Sequence, residues 1–350
     1  MNDASDNIVV DTATRIFRDL CEPATVNEAE AGKWPAELWE ALEEAGLPLA
    51  WVAEELGGAG ARIADGFAVL RVAGRFAAPV PLAETLLAGR LLSAAGIAAP
   101  AGPLTIAPAL GESRIEIGPD GRLGGRARRI PFARDAGHIA VLARRGDEKV
   151  VALVERTGLM LREGKSLAGE PADDVAFDGV LPIAVAASPI DEDGLRAWGA
   201  AARMQQMAGA LEHILEQSVE WALQREQFGR PIGKFQAVQH NLAILAGETA
   251  AAGAAADGAA EGLAGGKIDL AAVAIGKVRV GEAAGTGAAI AHQAHGAIGF
   301  TYEHSLHHAT RRLWAWREEF GNEAYWSRRL GRMVAELGAD ELWHFITAGS

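Results

Sequence analysis

Residues Arg225 to Gln239 read REQFGRPIGKFQAVQ, gathering Arg225, Phe228, Gln236 and Gln239 where one helical pattern stops and another starts. Two accounts compete for this stretch. The cations could simply finish a helix C-terminus, which the macrodipole favours. Alternatively, the local cluster of donors and the aromatic ring form a binding site for a small anionic ligand. A second stretch, HSLHH, spaces His304 and His308 four residues apart, as on one face of a zinc-binding helix. No glutamate follows His304 inside the motif and no third ligand is evident, so no metal site is expected. Glu318 and Glu319 stand close to Arg311, Arg312 and Arg317, and their bland reading is a solvated or salt-bridged pair. Trp314, Trp316 and Trp326 read as core or interface packing.

The elements that must position these residues are legible from periodicity. Met204, Met207, Leu211, Leu215, Val219 and Ala222 recur at three- and four-residue steps, the stripe of an amphipathic helix. Gly229, Pro231 and Gly233 break it, and Phe235 to Leu245 start it again. The spacing predicts long helices over 195–224, 235–263 and 268–294, with shorter ones at about 302–315 and 322–336. Residues 1–102 also read as helices. In PAELWEALEEAG, Leu38, Trp39, Leu42 and Ala45 share a face and Gly46 is the stop.

Between the two helical zones the period changes from 3.6 to 2. RIEIGPDGRLGG and HIAVLARRGDEKVVALVE are hairpin patterns turning at Pro-Asp-Gly and Arg-Gly-Asp, and DDVAFDGVLP is a further short strand. The expectation is an α+β fold: an N-terminal helical domain at 1–102, a small antiparallel β-domain at 103–186, and a C-terminal four-helix-type bundle at 187–350. No βαβ alternation is present, which excludes a Rossmann sheet. The glycine-rich ELGGAGA lacks the lysine and Ser/Thr of a phosphate-binding loop.

Composition narrows the function. With 350 residues, 49% of them hydrophobic, the chain can bury a large core. A net charge of −13 argues against non-specific nucleic-acid binding, which needs a basic footprint. Cys21 is the sole cysteine, so no intrachain disulfide or thiol metal site can form, and a reducing cytoplasm fits. The acidic start lacks a signal-peptide pattern, and no stretch approaches the ~18 apolar residues of a membrane span. A cytoplasmic location is expected.

The helical–β–helical order and three local motifs together resemble the acyl-CoA dehydrogenase family. LWEALEEAGLPLAWVAEELGGAGARIADGFAVLRVAGRFAAPVPLAETLLA is similar to the family's first helices with their Gly-Gly-x-Gly turn. REQFGRPIGKFQAVQ resembles its R-x-x-F-G…F-Q-x-x-Q segment, and QAHGAIGFTYEHSLHHATRRL its Q-x-x-G-G-x-G-Y…R segment. The resemblance implies FAD as cofactor. It assigns Arg225 to the FAD pyrophosphate of a neighbouring subunit, Phe228 to packing on the cofactor, and Gln236 to its polar edge. Gln293 and the backbone of Gly296 and Ala297 would approach from another chain, and Asn322 matches the family's threonine beside the base. Ala297 replaces a second glycine, which restricts backbone approach.

The implied reaction is α,β-desaturation of an acyl-CoA thioester, in which a carboxylate removes the α-proton and the β-hydrogen leaves as hydride. The family places that carboxylate in one of two locations. Aligned on Gly296, the first falls at Phe320, before Gly321 and Asn322; aligned on Arg225, the second falls at about Gly199. Neither residue is a carboxylate, and Glu319 reaches the first location only through a one-residue shift. Three readings are open. A self-sufficient homotetramer would use Glu319 as base. A base-less chain would act within a hetero-oligomer, as in bacterial members that act on steroid side-chain thioesters. A helical scaffold would have lost flavin altogether. The second is the favoured reading, with an acyl-CoA substrate, a second acyl-CoA dehydrogenase-like chain, and an electron-transfer acceptor protein as partners.

Overall fold

The computed structural model describes residues 3–108, 114–265 and 268–347, those of 3–7 by backbone alone. Five helices come first: α1 (Asp3–Leu20), α2 (Pro23–Glu30), α3 (Ala36–Glu44), α4 (Ile63–Arg75) and α5 (Leu82–Ala94). Helix α3 buries Leu38, Trp39 and Leu42. Ala45 lies past its end as the cap, exposed to solvent rather than on the buried face, and Gly46 turns the chain out at φ +70°. Helix α5 is buried almost all round because it lies between the sheet and the bundle. The Thr85 hydroxyl ties it to the first strand, accepting from Leu104 N (3.0 Å) and donating to Leu104 O (3.1 Å).

The strands are β1 (Leu104–Ala107), β2 (Ile115–Ile117), β3 (Leu123–Pro131), β4 (His138–Arg145), β5 (Glu148–Glu155), β6 (Met160–Arg162), β7 (Ala172–Ala176) and β8 (Ala184–Ala187). They form one sheet in the order β6-β7-β3-β2-β4-β5-β8, with β1 also on β4. Both predicted hairpins are present: β2 pairs antiparallel with β3, and β4 with β5, Arg145 facing Glu148 across a Gly146-Asp147 turn. The sheet is not wholly antiparallel, since β1 and β2 each run parallel to β4. Strand β4 carries a continuous buried run, Ile139–Ala143, and a strand buried on both faces accepts parallel neighbours.

From Glu192 the chain is helical again: α6 (Glu192–Gln224), α7 (Gln236–Ala264), α8 (Leu270–His295), α9 (Leu306–Glu318), α10 (Glu323–Leu337) and α11 (Leu342–Thr347). Asp191 starts α6 by accepting from Gly194 N (2.8 Å), and Asp269 starts α8 by accepting from Ala271 N and Ala272 N. Helix α4 crosses α6 at backbone distance, because a Cβ at Gly74 or Gly209 would overlap the facing main chain. Of the predicted apolar stripe of α6, Met204, Met207, Leu211 and Ala222 are buried and Leu215 is half-buried, while Val219 is exposed. Among the described residues no helix is long and apolar enough to cross a membrane.

Candidate active site

Helix α6 ends at Arg225, whose amide still bonds Trp221 O (2.8 Å). The next residues form a miniature hairpin, β9 (Glu226–Gln227) paired with β10 (Arg230–Pro231). Its tip is Phe228-Gly229, with φ +53° and +77°, both left-handed. The turn holds Phe228 92% exposed, its ring edge-on to Phe235 at 6.1 Å, while the Arg230 guanidinium covers Phe235 at 4.3 Å. The Arg225 side chain is exposed and meets no partner among the described residues. Gln236 opens α7, also exposed, whereas Gln239 is occupied with Gly233 O (2.9 Å).

The second predicted group lies at the same end of the bundle. Helices α7 and α8 run antiparallel, in register through Arg279 with Glu248 and Gly287 with Leu245, so the end of α8 lies beside the start of α7. Gln293, Gly296 and Ala297 are exposed there. Gly296 stops α8 with φ +66° and ψ −145°, a conformation essentially confined to glycine, and a Cβ there would meet nothing within 4 Å. Arg225, Phe228, Gln236, Gln293, Gly296 and Ala297 are thus each exposed at the same end of the bundle.

Asn322 is elsewhere. Its Oδ1 caps α10 by accepting from Tyr325 N (3.1 Å), and its Nδ2 donates to Glu318 Oε2 (2.9 Å). The adjoining Gly321 O accepts from Lys277 Nζ (2.9 Å). Lys277 precedes Gln293 on α8 by about 24 Å of helix. The side chain of Asn322 is committed to a cap and stands far from the exposed group.

The two locations for a base converge. A Cβ at Gly199 would overlap the ring of Phe320, so the glycine makes room for the phenyl group. Phe320 is 4% exposed, at φ +54°, and its carbonyl accepts from Trp326 Nε1 (3.0 Å). Lys277 Nζ, fully buried, also donates to Trp316 O and Arg317 O and so fixes the loop. Glu319 turns inward, accepting from Arg203 Nε (2.7 Å). Arg203 also binds Gln206 Oε1 (2.6 Å) and Glu84, all within the core. Burial opposes its charge, but the carboxylates of Glu319, Glu84 and Glu170 outweigh that and raise its pKa. The expected grouping of Glu318 and Glu319 with Arg311, Arg312 and Arg317 does not form. Arg311 and Arg312 pair with Glu30, Arg312 also with Glu170 (2.9 Å), and Arg317 with Glu323. Arg203 and Glu84 were not singled out by sequence; the one signal was a lone arginine inside the small-residue run GAAARM.

His304 and His308 do not share a helix face, because α9 begins only at Leu306 and His304 Nδ1 accepts from that residue's amide (3.1 Å). Among the described residues no group of three His, Cys, Asp or Glu could hold a metal. The histidines instead cluster near the end of α8: His295 stacks on Trp221 (5.3 Å) and meets His304 edge-on (4.8 Å), and His307 lies tilted against His308 (4.2 Å). Trp316 and Trp326 are core residues, and Trp314 stacks half-buried on His292. Burial, then the His307 ring, then Arg312 and Arg311, push His308 down to about 3. Unfolded, the imidazole takes its proton near 6.5, so between these values the unfolded chain binds the extra proton and stability falls as pH drops. The expected loss from this one group is about 2 kcal/mol between pH 6.5 and 5. His308→Gln should flatten urea midpoints measured across that range at fixed protein concentration; superimposable pH profiles for the two proteins would refute the assignment.

The helical–β–helical architecture, with a small sheet between an N-terminal helical region and a C-terminal bundle, defines the fold class. The chain belongs to the acyl-CoA dehydrogenase family, oxidoreductases acting on CH–CH groups: residues 4–99 match the acyl-CoA dehydrogenase N-terminal domain and residues 197–335 the C-terminal domain. It is 31% identical over 300 residues to the acyl-CoA dehydrogenase IpdE2 of Mycobacterium tuberculosis, covering 85% of this chain and 87% of that one. It is 30% identical to FadE34 of the same organism, covering 91% of this chain and 44% of that one. Among solved structures, a variant of the Tcur3481–Tcur3483 steroid ACAD superposes with TM-score 0.86 at 25% identity, over 95% of this chain and 98% of that one. The ChsE4–ChsE5 complex of Mycobacterium tuberculosis gives 0.82 at 24% identity, over 97% and 99%.

Proposed function

We propose that this chain is the base-less half of a hetero-oligomeric, FAD-dependent acyl-CoA dehydrogenase. The single observation that carries this reading is the packing of Phe320 on Gly199. The two residues that the resemblance aligns with the family's base are a buried phenyl ring and the glycine that accommodates it, and neither is a carboxylate. The alternative base is engaged, since Glu319 forms an ion pair with the buried Arg203. Its Oε2 is committed to that guanidinium rather than left open to a substrate.

The residues at the bundle end fit a phosphate-bearing planar cofactor held across a chain boundary. Arg225 offers an unpaired planar fork for phosphate oxygens. Phe228, held out by its hairpin and backed by Phe235, offers a ring face. Gln236 and Gln293 present amides, and Gly296 permits close backbone approach. Asn322 is left out of this grip because its amide is already used. The cofactor, when bound, would accept the β-hydrogen of the thioester as hydride. The partner chain would hold the base that takes the α-proton, and an electron-transfer protein would reoxidise the flavin. A steroid-derived acyl-CoA is the substrate class we infer, supported by the likeness to a steroid ACAD. A reducing cytoplasm suits a chain whose one cysteine, Cys21, is buried and free.

The test is flavin absorbance after purification of the chain alone and after co-expression with an acyl-CoA dehydrogenase-like chain that carries the base. Flavin is expected in the co-purified assembly. Arg225→Ala should weaken its retention by roughly tenfold to a hundredfold, the value of a charge-assisted phosphate contact, with helicity unchanged. An unaltered FAD titration in that assembly removes Arg225 from the grip.

A further inference from the structure

Where the N-terminal helices, the sheet and α9 meet, the fold leaves a cavity of about 130 Å³. Its walls are largely apolar: Trp34 between α2 and α3, Pro79 before α5, Phe132 after β3 and Pro171 before β7. Most of the polar groups around it are already bonded. Arg134 donates to Asp173, to Glu163 Oε2 (3.0 Å) and to Gly164 O (2.7 Å). Lys165 donates to Glu30 O (2.7 Å) and Lys33 to Glu28 Oε2 (2.7 Å).

Two lining side chains of opposite sign are not. Arg312 of α9 is 0% exposed. Its Nη1 donates to Glu30 Oε1 and to His308 O (3.2 Å each), but its Nη2 has no acceptor among the described residues. Nε lies 2.9 Å from Glu170 Oε1 yet makes no hydrogen bond, because that oxygen is off the N–H axis. Nε and Nη2 form one edge of the guanidinium, an edge that can hold a carboxylate through two parallel bonds. The charge around it favours an anion. Arg311 and Arg312 share the single carboxylate of Glu30, and burial pushes the Glu170 carboxyl up by more than Arg312 pulls it down. Buried donors are rarely left unmet. Asp135 is the second such group: half-buried on the same cavity, its side chain makes no hydrogen bond or ion pair among the described residues. Burial pushes its carboxyl up against the pull of Arg134, whose own hydrogen bonds go elsewhere.

We propose that this junction cavity binds a small α-amino acid, its carboxylate on the Nε–Nη2 edge of Arg312, its ammonium toward Asp135, and a short apolar side chain against Trp34 and Phe132. A carboxylate alone would leave Asp135 unpaired and bring a like charge into its cavity; an amine alone would leave the buried guanidinium edge unmet. The volume limits the side chain. A cavity of roughly 150 Å³ holds a molecule of benzene's size, so alanine or valine fits and phenylalanine does not. The site forms within one chain and shares no residue with the surface that carries Arg225 or with the loop at Phe320, so it stands apart from the dehydrogenase reading.

The experiment is calorimetric titration of the full chain with L-alanine, L-valine, L-phenylalanine, propionate and n-propylamine. Alanine and valine are expected to bind, with propionate and propylamine each weaker by roughly tenfold or more, the value of one charge-assisted contact. Asp135→Asn should weaken valine by about the same factor and leave propionate no weaker than before. Ala29→Leu, which fills the cavity from α2 and leaves every ion pair in place, should abolish binding of both amino acids. Arg312→Lys should abolish it too; because that residue is buried, circular dichroism must show the variant folded, and Asp135→Asn and Ala29→Leu decide the matter if it is not. No heat with either alanine or valine overturns the proposal and leaves ordered water as the partner of Nη2. Propionate binding as tightly as valine overturns it, assigning the cavity to simple carboxylates. Phenylalanine binding as tightly as valine, or valine binding unaltered in Ala29→Leu or Asp135→Asn, overturns it by placing the ligand elsewhere.

Discussion

Purified without its partner, the chain is expected to show no useful desaturation of acyl-CoA thioesters, with activity appearing only on mixing or co-expression. The physical reason is local. Phe320 accepts no proton, and Gly199 cannot gain a side chain without displacing the phenyl ring. General-base catalysis is worth about 10²–10⁴-fold, so its absence is plain in a steady-state assay with an artificial electron acceptor. Glu319→Gln separates this reading from a self-sufficient enzyme. In the mixed assembly it should leave turnover nearly intact, because Glu319 serves Arg203 and not the substrate. Robust turnover by the homo-oligomer, abolished by Glu319→Gln, would establish the self-sufficient enzyme in its place.

The elements that position the site were not equally legible in the sequence. Helices α6, α7 and α8 announce themselves through long stripes of small and apolar residues, and the β4–β5 hairpin through its alternation on both sides of Gly146-Asp147. The hairpin after Arg225 was hidden, because two residues per strand carry no period. Only its left-handed Phe228-Gly229 tip marks it. The exposure of Val219 between the half-buried Leu215 and the buried Ala222 was equally hidden, since it depends on tertiary packing and not on the period. Motif spacing nominates Arg225, Gln293 and Gly296, and the antiparallel packing of α7 on α8 puts the segments that carry them at one end of the bundle. Asn322 could be aligned but not understood, because its role as a cap depends on where α10 starts. The buried charges were the least legible. Arg203 meets Glu84 119 residues away and Glu319 116 residues away, and nothing local distinguishes such residues from a solvated helix face.

That buried triad yields the largest stability effect expected in the molecule. Arg203 is 3% exposed and joins α5, α6 and the loop after α9, so its removal strands two carboxylates in the core. Breaking a buried pair by deleting one partner costs about 3–5 kcal/mol, whereas replacing every member by apolar groups of similar volume is often neutral or stabilising. Arg203→Ala should therefore lower the thermal midpoint by several degrees at fixed protein concentration. The triple variant Glu84→Leu, Arg203→Met, Glu319→Leu should recover most of the loss, because the desolvation of all three charges is relieved together. Recovery would show that the triad is retained at a cost in stability, and the loop it anchors is the one that seats Phe320 on Gly199. Equal destabilisation of the single and triple variants would mean that charge pairing is not the source of the effect. Packing of the Arg203 guanidinium 5.9 Å from the Trp316 ring centroid would then be the remaining cause.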